Sequence, residues 1–478
     1  LPDSAVKESQ QRIDAALKNN GYKIPGKKIT VNLAPADIRK EGSSYDLPIA
    51  MGILCASSQL VTIEISNYVI MGELSLDGIL RPVRGALPMA LHAKSCGFKG
   101  VILPVENAKE AAVVEGIDVY GIATLLEVIK FFEGHSTILP IKIDLEAEFS
   151  RPLNNFDVDF SDVKGQENIK RALEIAASGG HNILMVGPPG AGKTMLAKRL
   201  SGILPPMTLD EALETTKIHS VAGKTVKHFG LVTSRPFRAP HHTISDVALV
   251  GGGSHPQPGE ISLAHNGVLF LDELPEYKRT VLEVMRQPLE DRVVTISRAK
   301  FTVVYPAGFM LVASMNPCPC GYYNHPEKAC VCPPGGVQKY LNRLSGPLLD
   351  RIDIHIEVTP VSFNELTDRR PAESSAAVRA RVVNARLVQL KRFEGMEGIY
   401  SNAQMNASLL RSVCRIDEAG QQLLKTAMER LGLSARAYDR ILKVARTVAD
   451  LEGSKAIETQ HLAEAIQYRS LDRENWAG

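Results

Sequence analysis

The sequence has no run of about eighteen apolar residues, so it predicts no membrane-spanning helix. It has no charged, apolar and small-residue leader of the kind that directs secretion. Internal repeats and long low-complexity tracts are also absent. The net charge is only +2, so overall charge gives no argument for a nucleic-acid partner, and any such argument must come from local clusters. The cytoplasm is the expected location.

Length and composition describe a globular protein with more than one domain. A chain of 478 residues is too long for one ordinary core, and about two to four domains are expected. An apolar content of 44% with 23% charged residues is typical of such proteins. The chain begins at Leu1, without methionine and within a pattern typical of a strand-to-helix turn, so we expect that some N-terminal sequence is missing.

Hydrophobic patterns divide the chain into five segments. Short apolar runs that alternate with helical patterns predict an α/β domain, and the same alternation later predicts a doubly wound nucleotide domain. Polar stretches without periodicity predict linkers. The predicted order is α/β domain, linker, nucleotide domain, linker and helical domain, at residues 1–140, 141–157, 158–360, 361–374 and 375–478.

A phosphate-binding loop is predicted at Gly187-Pro188-Pro189-Gly190-Ala191-Gly192-Lys193-Thr194-Met195, between an apolar run and a helical pattern. The glycines let backbone N–H groups close around phosphates, and the helix N-terminus favours negative charge. Lys193 would reach the β and γ oxygens of a nucleoside triphosphate, and the Thr194 hydroxyl would ligate Mg²⁺.

A second half of this site is predicted at residues 267–273, an apolar strand pattern that ends in two carboxylates. Asp272 would hold Mg²⁺ through its water shell, and Glu273 would orient and deprotonate the attacking water. The alternative is a strand that merely ends at an acidic turn. Adjacent aspartate and glutamate favour hydrolysis over phosphoryl transfer to a second substrate.

A third strand pattern, residues 309–316, ends at Asn316, whose amide would sense the γ-phosphate. The alternative is a helix-capping asparagine before Pro317. Together with the first two motifs, this strand-terminal asparagine resembles the first sensor of the AAA+ ATPases. The resemblance implies an α/β AAA+ P-loop nucleotide domain that uses ATP and Mg²⁺.

Two arginines are expected to complete the site on the same resemblance. Arg351 lies in a Leu-Leu-Asp-Arg segment similar to one in the magnesium-chelatase and replicative-helicase branch, where the arginine reaches the γ-phosphate of the neighbouring subunit. Such a residue acts only from another protomer, which implies a ring. The alternative is a surface ion pair with Asp350 or Asp353. Arg436 is similar to the second sensor, with Arg440 as a substitute.

Longer motifs resemble one family. The segments Phe237-Arg238-Ala239-Pro240-His241-His242-Thr243 and Asn316-Pro317-Cys318-Pro319-Cys320-Gly321 are similar to the ComM/YifB family of magnesium-chelatase-like AAA+ proteins. The resemblance implies a homo-hexameric DNA helicase or translocase, with a C-terminal helical lid, that promotes branch migration of single-stranded or branched DNA in homologous recombination during natural transformation. A protein-remodelling chaperone and a magnesium-chelatase-like motor subunit are the alternatives.

The first domain resembles the Lon-protease (ribosomal S5 domain 2-like) α/β fold. The segment Lys40-Glu41-Gly42-Ser43-Ser44 lies where Lon proteases carry their nucleophile. The position of the Lon catalytic lysine is Met89 in this sequence, and a thioether cannot activate a serine. Proteolysis is therefore expected to be lost, although Lys40 and Lys94 leave other lysines nearby in sequence.

Four of the seven cysteines are clustered within an insertion at residues 318–332: Cys318, Cys320, Cys330 and Cys332. In a reducing compartment, two close pairs indicate zinc more often than a disulfide. Their one-residue spacing is tighter than the usual two-residue gap and would strain ligation by both members of a pair. A structural Zn²⁺ site and a metal-free turn both remain open, with His325 as a spare ligand.

DNA contacts are predicted at a hairpin. Residues 292–304 read as two β-branched strands joined at a basic tip. In helicases of the resembled branch such a hairpin projects into the pore, so Arg298 and Lys300 would contact phosphates without reading bases. The alternative is an exterior basic turn. Residues 251–260 are a second candidate pore loop, and the arginine-rich helix at 375–393 is either a DNA surface or a solvated face.

Overall fold

The structure is a computed structural model. It describes residues 4–33, 43–136, 138–145, 149, 158–225, 230–253, 256–298, 301–325, 327–361, 365, 372–396 and 398–469. Among these residues, no helix combines the length and the apolar character needed to cross a membrane.

The chain divides into two compact units. The first combines residues 1–151 with residues 209–233, and the second combines residues 152–208 with residues 234–478. The sequence predicts a continuous nucleotide domain. The segment 209–233 departs from that prediction, because it belongs to the first unit.

Residues 209–233 pack into the first unit through apolar and polar contacts. Leu213 and Leu231 join a hydrophobic cluster whose buried members include Leu87. The Ser220 hydroxyl donates a hydrogen bond to the buried carboxylate of Glu110. Apolar side chains are stabilised by leaving water, and a buried carboxylate needs a donor, so this segment is held by the first unit.

The first unit is an α/β structure. Its strands are β1 Tyr68–Ile70, β2 Glu73–Leu74, β3 Leu80–Arg81, β4 Gly100–Pro104 and β5 Asp118–Ile122. Its helices are α1 Ser4–Asn19, α2 Asp46–Ala56, α3 Ala86–Ser95, α4 Val105–Ala111, α5 Leu125–Phe132 and α8 Leu209–Val221. Strands β1, β4 and β5 form a parallel sheet in that order, and β2 pairs antiparallel with β3. The predicted α/β class is confirmed.

The second unit is built on a parallel sheet of five strands. The described strands of the whole unit, which include two separate antiparallel pairs, are β6 Ile183–Val186, β7 Phe237–Arg238, β8 Gly251–Gly252, β9 Gln257–Pro258, β10 Val268–Leu271, β11 Val293–Arg298, β12 Phe301–Pro306, β13 Met310–Met315 and β14 Ile354–Glu357. The sheet order is β14-β6-β13-β10-β7. Every residue of β6, β10 and β13 is buried, as expected of parallel strands covered on both faces.

Helices cover this sheet and continue into a helical C-terminal region. Those of the nucleotide-binding part are α6 Glu167–Gly179, α7 Lys193–Ile203, α9 Asp246–Val250, α10 Glu260–Leu263, α11 Arg279–Val284, α12 Arg286–Asp291, α13 Gly336–Leu341 and α14 Gly346–Leu349. Those of the C-terminal region are α15 Ser375–Arg392, α16 Ala407–Val413, α17 Glu418–Leu431, α18 Ala435–Leu451 and α19 Thr459–Gln467. Short 3₁₀ turns lie at Glu64–Asn67, Phe160–Asp162, Leu274–Glu276 and Asn402–Gln404.

Local signals start the C-terminal helices where side chains can cap them. The Asp417 carboxylate accepts a hydrogen bond from the Gly420 N–H at 2.8 Å, and the Ser434 hydroxyl accepts one from Ala437 at 3.2 Å. These bonds satisfy N–H groups that have no partner within the helix. Helix α18 then buries an apolar face, including Ile441, in the same hydrophobic cluster as helix α6.

Candidate nucleotide-binding site

The carboxyl ends of three neighbouring strands carry the predicted site. Strand β6 leads into the phosphate loop, β10 leads into Asp272 and Glu273, and β13 leads into Asn316. Because β13 lies between β6 and β10 in the sheet, the three polar groups come to one edge. Ligands of open parallel sheets bind at such an edge.

The phosphate loop has the backbone that its glycines permit. Gly190 and Gly192 have φ values of 80° and 87°, in the left-handed region that side chains disfavour. A Cβ on Gly187 would lie 2.2 Å from the Val358 carbonyl oxygen, so only glycine fits between the loop and β14. Helix α7 begins at Lys193, and its N-terminus faces the loop that would hold phosphate.

Lys193 is held by three oxygen acceptors. Its Nζ donates hydrogen bonds to the carbonyl oxygens of Gly187 at 2.7 Å and Pro188 at 2.9 Å, and to Oδ1 of Asn316 at 3.0 Å. Burial lowers the pKa of Lys193, and the negative charges of Asp272 and Glu273 oppose that shift. Asn316, the predicted first sensor, therefore lies next to Lys193.

Asp272, the predicted Mg²⁺ ligand, accepts hydrogen bonds from two hydroxyl groups. Its Oδ2 accepts a hydrogen bond from the Thr194 hydroxyl at 2.7 Å, and its Oδ1 accepts one from the Ser314 hydroxyl. A threonine hydroxyl next to a carboxylate is the oxygen set that Mg²⁺ binds beside phosphates. Ser314 was not singled out from the sequence, although its position two residues before Asn316 places it on the same strand.

Glu273 has a left-handed backbone, with φ of 54°. This conformation is uncommon outside glycine and turns the chain sharply after β10. Its side chain is 55% exposed, and its Oε2 lies 3.7 Å from Nδ1 of His242. The His242 ring stacks on His241, with 4.0 Å between centroids, and meets Tyr277 edge-on. His241, His242 and Tyr277 thus form an aromatic group beside the Glu273 carboxylate.

Gln166 is a further residue that the sequence did not reveal. Its Nε2 donates hydrogen bonds to the carbonyl oxygens of Thr359 at 2.8 Å and Ala191 at 3.2 Å. Its φ is 57°, at the turn that starts α6. The side chain ties the phosphate loop to the chain after β14. A non-glycine residue that directly follows Gly165 gave no signal of this role.

Arg351 is buried within its own chain. The side chain is 7% exposed, and it donates hydrogen bonds to the Pro347 carbonyl oxygen at 2.6 Å and to the Glu290 carboxylate. Its ion-pair partner is Glu290, and not Asp350 or Asp353, the partners considered from the sequence. Arg351 lowers the pKa of Glu290 by its hydrogen bond and charge.

Arg436 and Arg440 lie on the first turns of α18 and have different surroundings. Arg436 is exposed, and its charge adds to that of Arg351 in lowering the pKa of Glu290. Arg440 instead forms an ion pair with Asp353, at 3.1 Å. That carboxylate is 1% exposed, so Arg440 has an internal structural partner. The second-sensor role of Arg436 stays a prediction.

The four clustered cysteines bring their sulfur atoms together. All four Sγ atoms lie within 4.8 Å of one another, and all four thiols are free. The Gly321 N–H donates to the Cys318 carbonyl at 3.0 Å and closes a turn in which Cys318 and Cys320 have Sγ atoms 3.3 Å apart. With one-residue spacing, the two members of each pair nevertheless bring their sulfur atoms to one point.

Electrostatics and hydrogen bonds distinguish Cys320 from its neighbours. Burial favours the thiol, yet backbone hydrogen bonds from Tyr322 and Val331 prevail and lower the pKa of Cys320 to about 6. His325 is not part of the sulfur cluster. Its Nδ1 accepts hydrogen bonds from the N–H groups of Glu327 and Lys328, both at 3.1 Å, so this nitrogen stabilises the loop backbone.

The predicted hairpin is present. Strands β11 and β12 pair antiparallel from Val293↔Pro306 to Arg298↔Phe301. Lys300 lies outside the described residues, as does the side chain of Arg298, so their DNA contacts stay predictions. The second candidate loop also contains a small antiparallel ladder, β8 with β9. The two are neighbours, because the Tyr305 hydroxyl on β12 donates to the Pro256 carbonyl at 2.8 Å.

The arginine-rich helix α15 uses much of its charge internally. Arg381 pairs with Glu174 and Glu373, and Arg392 pairs with Asp450. Arg386 is 8% exposed and donates to carbonyl oxygens at the end of α6. These three arginines have partners within the chain, and contact between DNA and the rest of the helix stays a prediction.

The serine segment of the first unit is described only in part. Lys40, Glu41 and Gly42 lie outside the described residues. The Ser43 hydroxyl donates a hydrogen bond to the Glu73 carboxylate. Met89 lies on α3, and Lys94 lies farther along the same helix with its Nζ near Gly116. Loss of proteolysis stays a prediction.

Comparison with known proteins connects both units to one group. The family described as magnesium chelatase, subunit ChlI, matches residues 159–366, and its C-terminal counterpart matches residues 372–469. The family described as subunit ChlI of Mg-chelatase matches residues 1–107. The competence protein ComM of Haemophilus influenzae is 46% identical over 477 residues, which cover 99% of this chain and 91% of that protein.

The chain belongs to the ComM/YifB family of magnesium-chelatase-like AAA+ proteins. The uncharacterized protein YifB of Escherichia coli is likewise 46% identical, over 99% of this chain and 91% of its own length. Lon protease 2 of Bacillus subtilis is 34% identical over 128 residues, which are 26% of this chain and 22% of the protease. The AAA+ nucleotide domain and the Lon-like similarity predicted from the sequence are thereby confirmed for this ComM/YifB protein.

Proposed function

We propose that this ComM/YifB protein is an ATPase that assembles as a homo-hexamer and uses ATP hydrolysis to move along DNA. The observation that carries the ATPase proposal is the hydrogen-bonded set at the sheet edge. Lys193 is bonded to Asn316, and Thr194 is bonded to Asp272. Membership of an AAA+ family supports ATP and Mg²⁺ as the nucleotide and the ion.

Each residue of the set has a role that follows from its position. Phosphate oxygens would take the place of the carbonyl acceptors around Lys193, since a charge-assisted bond to phosphate is stronger than one to a neutral carbonyl. Thr194 and Asp272 would hold Mg²⁺, which would neutralise phosphate charge. Glu273, more than half exposed, would orient and deprotonate the attacking water. These roles together describe hydrolysis.

The proposal of a ring rests on the role given to Arg351. In the proposal its guanidinium leaves Glu290 and reaches the γ-phosphate held by the next protomer, where it stabilises negative charge in the transition state. The Glu290 side chain is half exposed, so the departure of Arg351 would not leave a buried carboxylate without a partner. Arg436 adds a second positive charge in the neighbourhood of Glu290, which supports an interface role for this face of the protomer.

DNA is the polymer along which we propose that the ATPase moves. The β11–β12 hairpin directly precedes β13, the strand that carries Asn316, so movement at the sensor can pass to the hairpin along the chain. In the sequence, Arg298, Ala299 and Lys300 join its two strands, and the two cations among them suit phosphate contact. The relative called competence protein ComM supports a task in natural transformation, and we extend the proposal to branch migration during homologous recombination.

We also propose Zn²⁺ as the resident ion of the four-cysteine cluster and the cytoplasm as the location. A tetrahedral site with Zn–S bonds of about 2.3 Å places sulfur atoms ~3.8 Å apart. The Sγ atom of Cys330 lies 3.8 Å from that of Cys318 and 3.5 Å from that of Cys320. The set therefore fits zinc, which would contribute a crosslink rather than a reaction step.

The decisive experiment measures the ATPase rate with single-stranded, duplex and branched DNA, and with unfolded polypeptide as the comparison. The proposal expects stimulation by DNA and strand displacement that depends on ATP. Stimulation by polypeptide alone would favour a protein-remodelling ring. A rate that responds to neither polymer would favour a motor that acts on a dedicated partner, as a magnesium-chelatase-like subunit does.

The hairpin assignment has its own test. Arg298→Ala combined with Lys300→Ala should abolish DNA stimulation and leave basal hydrolysis within about twofold, because these cations contact phosphates and not ATP. The matched control is Lys425→Ala, which removes an exposed cation from helix α17 of the same unit. Strand displacement at the wild-type rate in the hairpin variant contradicts the pore role.

A further inference from the structure

The four-cysteine loop touches the phosphate loop. Gly321, directly after Cys320, has a φ of 84°, and a Cβ at that position would lie 2.4 Å from Cδ of Pro189. Glycine is therefore required at this position both by its backbone and by the closeness of Pro189. Two loops that are far apart in sequence meet with no room for an additional methyl group.

Both ends of the cysteine loop are also fixed near the nucleotide site. Its first cysteine, Cys318, is fully buried and lies two residues after Asn316, which accepts a hydrogen bond from Lys193. Beyond its last cysteine, the chain enters α13, where buried Tyr340 contacts the backbone of Asn316. The loop thus starts beside Asn316, and the helix that follows the loop contacts the same residue.

The sulfur cluster brings the two ends of this loop together. Cys318 and Cys320 are separated by nine residues from Cys330 and Cys332, and a loop of this length has no helix or strand among its described residues. Without a crosslink, the ordering of such a segment costs backbone conformational entropy at every residue. A bound ion that joins the two pairs removes much of that freedom.

We propose that a metal ion held by Cys318, Cys320, Cys330 and Cys332 presses Gly321 against Pro189, so that nucleotide affinity depends on the metal content of this cluster. This inference rests on the proposed nucleotide site. The ion takes no part in hydrolysis. It fixes the conformation of the phosphate loop and of Asn316, and its loss leaves Lys193 and Asp272 in place but lets the loop above them open.

The test uses the full chain and begins with metal. Elemental analysis should find about one Zn²⁺ per chain, and replacement by Co²⁺ should give the thiolate-to-metal absorption band of a four-sulfur site. Extraction with a thiol-reactive mercurial and a chelator, followed by thiol reduction, should weaken binding of a fluorescent ATP analogue by about 5- to 150-fold, the usual range of coupling between two binding sites. Readdition of Zn²⁺, but not of Mg²⁺ alone, should restore it.

Variants separate the metal from the contact. Cys332→Ser should lose both metal and nucleotide affinity, whereas Gly321→Ala should keep the metal and lose affinity. Cys96→Ser, at an exposed cysteine outside the cluster, is the matched control and should keep both. Thermal unfolding of each variant verifies that the second unit remains folded.

Two results overturn the inference: a chain that neither contains nor takes up the ion, and a metal-free chain that binds the ATP analogue as tightly as the metal-loaded one. Failure of the proposed function looks different, because the metal-loaded wild-type chain would then bind no ATP analogue at all.

Discussion

At the scale of single residues, Lys193 is prepared for an anion. Burial lowers its pKa, and its hydrogen bonds go mostly to neutral carbonyl oxygens. A phosphate would supply negative charge at a site where a cation has lost much of its hydration. Lys193 also donates a hydrogen bond to the Asn316 side chain, so a phosphate that draws Lys193 away would leave that amide oxygen able to accept another hydrogen bond. The sensor can thus respond to nucleotide through one hydrogen bond.

Glu273 provides the first residue-scale prediction. Glu273→Gln keeps the shape of the side chain but removes the base, so kcat for ATP hydrolysis should fall by about 10²- to 10⁴-fold. Binding of a fluorescent ATP analogue and assembly measured by sedimentation should stay at wild-type values. Glu276→Gln is the matched control, because Glu276 lies three residues away and pairs with Arg343 at the surface. Loss of assembly in the Glu273 variant contradicts the assigned role.

At the scale of elements, Asp353 joins the sheet to the C-terminal helices. It stands just before β14, and its Oδ2 accepts the N–H of Asn182 at 2.9 Å, before β6. Its Oδ1 lies 3.1 Å from the guanidinium of Arg440 on α18. Burial raises its pKa, but the charge of Arg440 and the hydrogen bond from His181 prevail and lower it. One carboxylate therefore couples two strands and a helix.

Replacement of Asp353 should destabilise the second unit. Asp353→Asn leaves Arg440 without its buried counter-charge, and loss of one partner of a buried pair costs about 3–5 kcal/mol. The measurement is thermal or denaturant unfolding, with Asp350→Asn as the control on the same segment. A midpoint equal to that of the control contradicts the coupling.

The pH dependence of this effect follows from the sign of the shift. The folded-state pKa of Asp353 is lowered below the unfolded value of about 3.9, so its stabilisation is fully present above that value. It is lost as the pH falls towards the folded-state pKa. The difference in stability between the wild-type chain and Asp353→Asn should therefore be constant near neutral pH and shrink in acid.

At the scale of the whole molecule, the proposed ring makes each ATP site a shared property. Within one chain Arg351 is turned inwards to Glu290, and its place in catalysis exists only when a neighbour presents a phosphate. Arg351→Ala should thus lower kcat by about 10³-fold or more, as loss of an arginine finger does. The same loss would follow from local unfolding, so a single variant does not separate the two causes.

A mixture of two inactive variants separates them. Lys193→Ala lacks the phosphate-loop cation but keeps Arg351, and Arg351→Ala has the opposite defect. When equal amounts assemble at random, about a quarter of the interfaces combine an intact Lys193 from one protomer with an intact Arg351 from its neighbour. About a quarter of the wild-type rate should therefore return. The double variant mixed with wild-type chain is the control. Co-assembled rings without any regained hydrolysis contradict the shared site.

The amino-acid sequence by itself determined the chemistry of the nucleotide site and the type of fold. Continuous apolar runs are typical of strands buried on both faces, and each of three runs ends in a polar group. Glycine spacing marks the phosphate loop, since few other residues permit its backbone. The hairpin at Val293–Pro306 also followed from β-branched residues on either side of a basic turn. These are local signals, and local sequence contains them.

Only the tertiary structure decided which residues meet across long separations in the chain. The placement of 209–233 in the first unit, the pairing of Arg351 with Glu290 and the internal bonds of the α15 arginines depend on packing and partner geometry. The contact of Gly321 with Pro189 is of the same kind. Hydrophobic period and residue type describe what a segment can bury or bind, whereas the partner is chosen by the close packing of the folded chain.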